Sequence, residues 1–238
     1  MIKAVFFDLD GTLLPMDQDK FTEYYLPSLV KKLAPYGYEP KKFVKAVMDG
    51  LVKMLGNDGS CTNQEAFWNH FTSVFGPESR RNEKDFLDYY ANEFNDAIVM
   101  CRPTPLADEL VKMVKASGRM AVLATNPIFP QVATLNRIRW AGMDVNDFDA
   151  YTTYEDVGYC KPSAGYFDYL LDKLDLRPEE CIMVGNDAGE DTAAADMGMK
   201  FFLVDTDLIN RKGKDISIYP HGSLEDFRDY LKKELGIQ

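Results

Sequence analysis

The chain has 238 residues, enough for one large hydrophobic core or for a core carrying a smaller second domain. With 46% hydrophobic and 27% charged residues it has the composition of a folded globular protein, which excludes a mainly disordered or low-complexity chain. The formal net charge of -11, with no cluster of Lys and Arg, argues against nucleic acid and anionic membranes as partners, yet allows a locally positive pocket for a phosphorylated small molecule.

The first predicted element is a strand over Lys3–Asp8. Asp8 and Asp10 interrupt its apolar run too early for a signal peptide or a membrane span, so a cytoplasmic protein is expected. From Pro15 to Val99 no strand pattern occurs; helical stretches run over Phe21–Leu33, Lys41–Leu55, Asn63–Phe75 and Glu83–Phe94. A structureless connection of that length would be exceptional, so residues 15–99 are expected to form a helical domain inserted into a core of residues 1–14 and 100–238. Further strands are predicted at Arg119–Thr125, Phe148–Thr152, Cys181–Gly185 and Lys200–Val204, with helices over Phe129–Trp140 and from Ser163 to Leu174. In the latter Phe167, Leu170, Leu171 and Leu174 recur with helical spacing. Strand and helix in alternation give an α/β fold, a parallel sheet with helices on both faces.

Four places in this frame carry chemistry. Asp8 and Asp10 lie two residues apart at the end of the first strand, so their side chains point the same way at the edge where open parallel sheets hold ligands. Two such carboxylates repel unless a cation or a proton intervenes. Magnesium, a hard cation that prefers oxygen, relieves the repulsion and can also take a phosphate oxygen. Thr12 follows in the same turn as a candidate for substrate binding. Thr125 and Asn126 end the strand over Arg119–Thr125, where a hydroxyl and the next backbone N–H groups can hold a phosphoryl oxygen. Lys161, before the helix from Ser163, can neutralise two aspartates and a phosphoryl group. Asn186, Asp187 and Asp191 follow the strand at Cys181–Gly185, where acidic groups can complete a metal shell or orient its waters.

The segment Phe6-Phe7-Asp8-Leu9-Asp10-Gly11-Thr12-Leu13-Leu14 closely resembles the first signature of the haloacid dehalogenase superfamily, D-x-D-x-T after the first strand of a Rossmann-like sheet. The other three places follow in the family's order, and the insertion has the position, size and helical character of its cap. The resemblance implies a phosphatase in which Asp8 attacks phosphorus to form an aspartyl-phosphate, Asp10 protonates the leaving oxygen and then activates water, and magnesium is the cofactor. The dehalogenating branch differs at the position of Asp10. The chain departs from the family's Gly-Asp at Gly185-Asn186-Asp187, so either Asn186 or Asp187 is the ligand beside Asp8 and Asp10. The charged Asp187 is favoured, with Asp191 steadying the loop from behind.

A small phosphorylated metabolite is the expected substrate, gripped by the cap, and the protein is expected to be a monomer or a homodimer. Tyr24, Tyr25, Trp68, His70, Arg80 and Arg81 are the cap candidates, each also readable as packing or surface. A phosphomutase using the same residues, or a non-catalytic phospho-ligand sensor, remains an alternative. Cys61, Cys101, Cys160 and Cys181 are scattered and read as reduced thiols.

Overall fold

The computed structural model describes residues 1–237. Strands β1 (Ala4–Phe7), β2 (Met120–Leu123), β3 (Ala150–Tyr151), β4 (Cys181–Gly185), β5 (Lys200–Val204) and β6 (His221–Gly222) form one sheet in the order β3-β2-β1-β4-β5-β6. Every neighbouring pair is parallel. The first five strands fall within the expected runs; β6 was not expected. The order reverses between β1 and β4, and the crevice beyond the carboxyl ends at such a point is where α/β sheets bind ligands.

Helices cover both faces. Val5, Phe7, Leu123, Ile182, Val184 and Phe202 face an apolar layer with α5 (Pro105–Ala116), α6 (Gln131–Trp140) and α9 (Leu224–Leu235). Phe6, Val122, Met183 and Leu203 face the opposite layer with α7 (Ala164–Leu174) and the short α8 (Ala193–Asp196). Both sides of these strands are buried, which is why they read as continuous apolar runs.

Between β1 and α5 the described chain is mainly helical: α1 (Gln18–Leu33), α2 (Pro40–Leu55), α3 (Asn63–Phe75) and α4 (Glu83–Ala91), with 3-10 turns joining α1 to α2 and α3 to α4. Local chemistry sets their starts. Asp17 caps α1 by accepting from the N–H groups of Asp19 and Lys20, and Thr62 with Glu65 forms a reciprocal capping box on α3. The expected helix over Glu83–Phe94 stops at Ala91 and gives way to a 3-10 segment, Glu93–Met100. The chain leaves and re-enters the sheet region side by side: Met16 and Cys101 form an antiparallel bridge, and Arg102 N–H donates to Pro15 O at 2.8 Å.

The inserted helices do not have a separate core. Phe94 lies 5.8 Å from Phe21 of α1, 5.9 Å from Phe129 and 5.2 Å from Trp140 of α6, ring centre to ring centre. One apolar cluster therefore runs from the sheet face into the insertion. Phe94→Ala should lower stability by about 3–5 kcal/mol and leave a single urea transition by both fluorescence and circular dichroism. Two separate transitions in the unmodified protein would show that the insertion unfolds on its own.

Candidate active site

The end of β1 is tied to β4, since Asp8 N–H donates to Val184 O at 2.9 Å. The chain then turns sharply at Gly11, whose φ is 86°, and a Cβ there would lie 2.2 Å from Asn186 Nδ2. Only glycine allows this approach. The turn brings Thr12 Oγ1 to 3.0 Å from Asp8 Oδ2 and 3.1 Å from Asn186 Oδ1. Thr12, expected to touch substrate, is buried away from the cavity, and its one proton serves these two oxygens.

Lys161, 2% exposed, sets its ammonium 2.8 Å from Asp8 Oδ1 and 2.6 Å from Asp191 Oδ1. Burial works against that charge, but Asp191 and Asp8 outweigh it and hold the lysine well above its ordinary pKa. Asp191 is fixed in turn: its second oxygen accepts from Asp187 N–H at 2.9 Å, and it packs where a Cβ on Gly185 would stand, 2.1 Å from that oxygen. Asn126 joins two loops, accepting from Lys161 N–H at 2.8 Å and donating to Glu190 Oε2 at 2.5 Å. Burial pushes the Glu190 carboxyl up to about 8. The sequence reading had assigned Glu190 no role. Thr125 sits on the cavity wall, with its carbonyl held by Thr152 Oγ1 at 2.6 Å and Tyr166 OH at 2.9 Å.

Asp10 faces a residue that sequence reasoning missed. Arg137 of α6 is fully buried, stacks 4.3 Å over the Phe129 ring and is ion-paired with Asp10 Oδ2. Burial raises the Asp10 carboxyl above its ordinary range, Arg137 pulls it down, and Asp8 pushes it up again. Asp10 Oδ1 is buried without any hydrogen-bond partner, and the Asp10 carbonyl accepts from Gln18 Nε2 at 2.7 Å.

A model of the haloacid dehalogenase-like hydrolases matches residues 2–198. The chain belongs to this family. It is 27% identical over 229 residues to a glyceraldehyde 3-phosphate phosphatase of Methanothermobacter thermautotrophicus, spanning 92% of this chain and 95% of that one. It is 23% identical over 211 residues to a ribulose-1,5-bisphosphate 5-phosphatase of Halopiger xanaduensis, spanning 86% and 85%. In fold it is similar to a haloacid dehalogenase phosphatase from Thermococcus onnurineus, with a TM-score of 0.59 at 22% identity over 97% of this chain and 98% of that one.

Within this hydrolase the two candidate ligands after β4 are not equivalent. Asn186 is buried, its amide oxygen beside Asp8 through the shared Thr12 hydroxyl and its Nδ2 donating to Asp207 O at 2.7 Å. Asp187, the favoured ligand on charge grounds, turns one oxygen onto its own loop, where it accepts from Gly189 N–H at 2.6 Å and Glu190 N–H at 3.1 Å.

Among the described residues no three His, Cys, Asp or Glu side chains form a ready cation cluster. Magnesium asks for less, being commonly held by one or two carboxylates with waters and substrate oxygens. Besides the Lys161 ammonium, the groups beside Asp8 are the oxygens of Thr12 and Asn186, and such an oxygen set fits a hard cation, while Asp10 Oδ1 is a buried oxygen with nothing to bind. Of the cap candidates, Tyr25 and Trp68 reach the cavity; Tyr24, His70, Arg80 and Arg81 do not line it.

Removing Arg137 leaves Asp10 as an unpaired buried carboxylate, which costs about 3–5 kcal/mol when ionised. Without the guanidinium the folded-state pKa of Asp10 rises further above its unfolded value. The deficit is then full at high pH and shrinks as pH falls through that raised value and Asp10 takes up a proton. Denaturation of Arg137→Met in EDTA should thus show a larger loss at neutral than at mildly acidic pH. A loss that does not vary with pH would show that packing, not charge, is what Arg137 contributes.

Proposed function

We propose that the chain is a magnesium-dependent phosphatase hydrolysing a small phosphomonoester through an aspartyl-phosphate on Asp8. The observation that carries the reading is the pairing of Asp8 and Asp10 at the sheet's reversal point, with Lys161 against the first and a free buried oxygen on the second. An Asp8 oxygen attacks phosphorus, the bond from phosphorus to the ester oxygen breaks, and Asp10 gives that oxygen its proton. Asp10 then takes a proton from the water that cleaves the acyl phosphate. Burial favours the protonated Asp10 that the first step needs. Lys161 stabilises negative charge gathering beside Asp8, and Thr12 and Lys161 between them fix the orientation of the Asp8 carboxylate. Thr125 and Asn126 stand on the wall where a phosphoryl group would lie.

Magnesium would be held by Asp8 and Asn186, with Asp187 close by and Asp191 behind, leaving the Asp10 carboxyl for the proton, and would supply positive charge to the phosphoryl oxygens. Residues 15–99 act as the cap, closing over the cavity and excluding water. In support, relatives of similar length are phosphatases of small phosphorylated metabolites, and a fold relative from Bacillus subtilis, TM-score 0.58 over 99% of both chains, is described bound to magnesium.

Asp8→Asn should fold normally and release no phosphate from an aryl phosphate with magnesium; near-normal release would overturn the mechanism. Asp10→Asn should slow an alkyl phosphate by about a hundred- to ten-thousand-fold and a nitrophenyl phosphate far less, since that leaving group needs no proton. Equal losses on both would remove Asp10 from the acid's role. For the cation, Asn186→Ala should weaken magnesium binding, by titration calorimetry as well as by activation, more than Asp187→Asn does. The reverse order would return the ligand to Asp187.

A further inference from the structure

The carboxylates of the site open into a cavity of 640 Å³, within the range of small-molecule pockets. Its far end is built by the inserted helices, and its chemistry is unlike that expected for a sugar phosphate. Val47, Leu51 and Met54 of α2, Phe67 and Trp68 of α3 and Phe86 of α4 form the wall. At the mouth Met48 and Leu55, also of α2, stay 38% and 41% exposed. The polar atoms along this wall are confined to the Tyr25, Tyr90 and Tyr154 hydroxyls and the Trp68 indole N–H, so it can meet few of the hydroxyls of a polyol, and each one desolvated without a partner is penalised.

Charge points the same way. Among the described residues the only Lys and Arg lining the cavity are Lys161 and Arg211. Lys161 is shared by Asp8 and Asp191, and Arg211 is paired with Asp19 at 2.7 Å. No unpaired cation remains for a second phosphate or a carboxylate. Of the polar groups contributed by α1, Gln18 is bound to the Asp10 carbonyl, the Thr22 hydroxyl donates to Gln18 O at 2.9 Å, Asp19 and Glu23 are acidic, and Tyr25 adds one phenol.

Resting on the phosphatase reading above, we infer that the alcohol half of the substrate is a carbon-rich apolar group, an aryl or medium-chain alkyl alcohol, with few hydroxyls and no second anion. The phosphoryl group sits on the charged floor and the apolar body lies against α2, α3 and α4. This sets the chain apart from its relatives, whose named substrates, glyceraldehyde 3-phosphate and ribulose-1,5-bisphosphate, are a small polar phosphate and a bisphosphate.

Ethyl, butyl and hexyl phosphates have leaving groups of nearly equal acidity, so a trend among them reports binding of the body. With magnesium, kcat/KM should rise roughly threefold to fourfold per added methylene. Hexyl and naphthyl phosphates should both exceed glyceraldehyde 3-phosphate and glycerol phosphate, and their ratio tells an alkyl from an aryl preference. Leu51→Asn should lower the hexyl-to-ethyl ratio. A flat or falling alkyl series, or a preference for glyceraldehyde 3-phosphate, overturns the inference while leaving the phosphatase reading intact. No release from any ester would instead sink the phosphatase reading. Melting shifts with ethyl-, butyl- and hexylphosphonate, which are not hydrolysed, then still decide whether the cavity takes an apolar body.

Discussion

The fold brings carboxylates of one sign together in a buried place, and the Lys161 ammonium is what makes this possible. Asp8 ends β1, Asp191 lies beyond β4, and the lysine comes from the loop before α7; one nitrogen within 2.8 Å of both carboxylates joins all three segments. Leaving either carboxylate buried without it would cost several kcal/mol. The geometry around that nitrogen explains otherwise separate features. Gly185 lacks a side chain because Asp191 occupies its space, Asn126 accepts from the Lys161 backbone, and Asp187 N–H turns back onto Asp191.

Arg137 does for Asp10 what Lys161 does for Asp8, by a different route. It comes from within a helix rather than from a loop at a strand end, and its guanidinium lies over the Phe129 ring while pairing with the Asp10 carboxylate. A planar, weakly hydrated cation suits that position as an ammonium would not. Because Phe129 also packs on Phe94, the ion pair at Asp10 shares its wall with the seam between the sheet and the inserted helices.

The parts of this arrangement legible in the sequence are those whose residue type and place are both constrained. A strand buried on two faces must be apolar throughout, and ligand groups must follow it directly, so β1, β2, β4 and β5 and the residues after them stand out. α9 carried a signal that was not used: Ser223 and Asp226 form a capping box ahead of Leu224, Phe227, Leu231 and Leu235 at helical spacing. β6 offers two residues, His221 and the glycine Gly222, too few for any period. Arg137 was hidden for another reason. Its neighbours on α6 show no clear apolar face, with Thr134 and Asn136 buried beside it, and nothing local tells a surface arginine from one that crosses the core to a partner 127 positions away. Charge alone does not separate Asn186 from Asp187, because the loop's own N–H groups compete for one oxygen of the Asp187 carboxylate.

The same accounting of charge bears on how so acidic a protein could receive a phosphate. At the floor of the cavity Lys161 is matched by two carboxylates, and Arg137, buried behind Asp10, by a third, while Asp187 and Glu190 stand beside them. A phosphate dianion arriving there finds no cation among these side chains that is not already paired. Helix and loop N–H groups offer partial charges, but at this site those of Asp187, Gly189 and Glu190 are turned onto Asp191 and Asp187 themselves. On the proposed phosphatase reading a divalent cation would add two units of positive charge at a place where the protein's own cations are already matched. The side chains would then set the position of the reacting groups and the cation their electrostatics. Binding of the phosphoryl group should consequently depend on the metal more steeply than binding of the apolar body does.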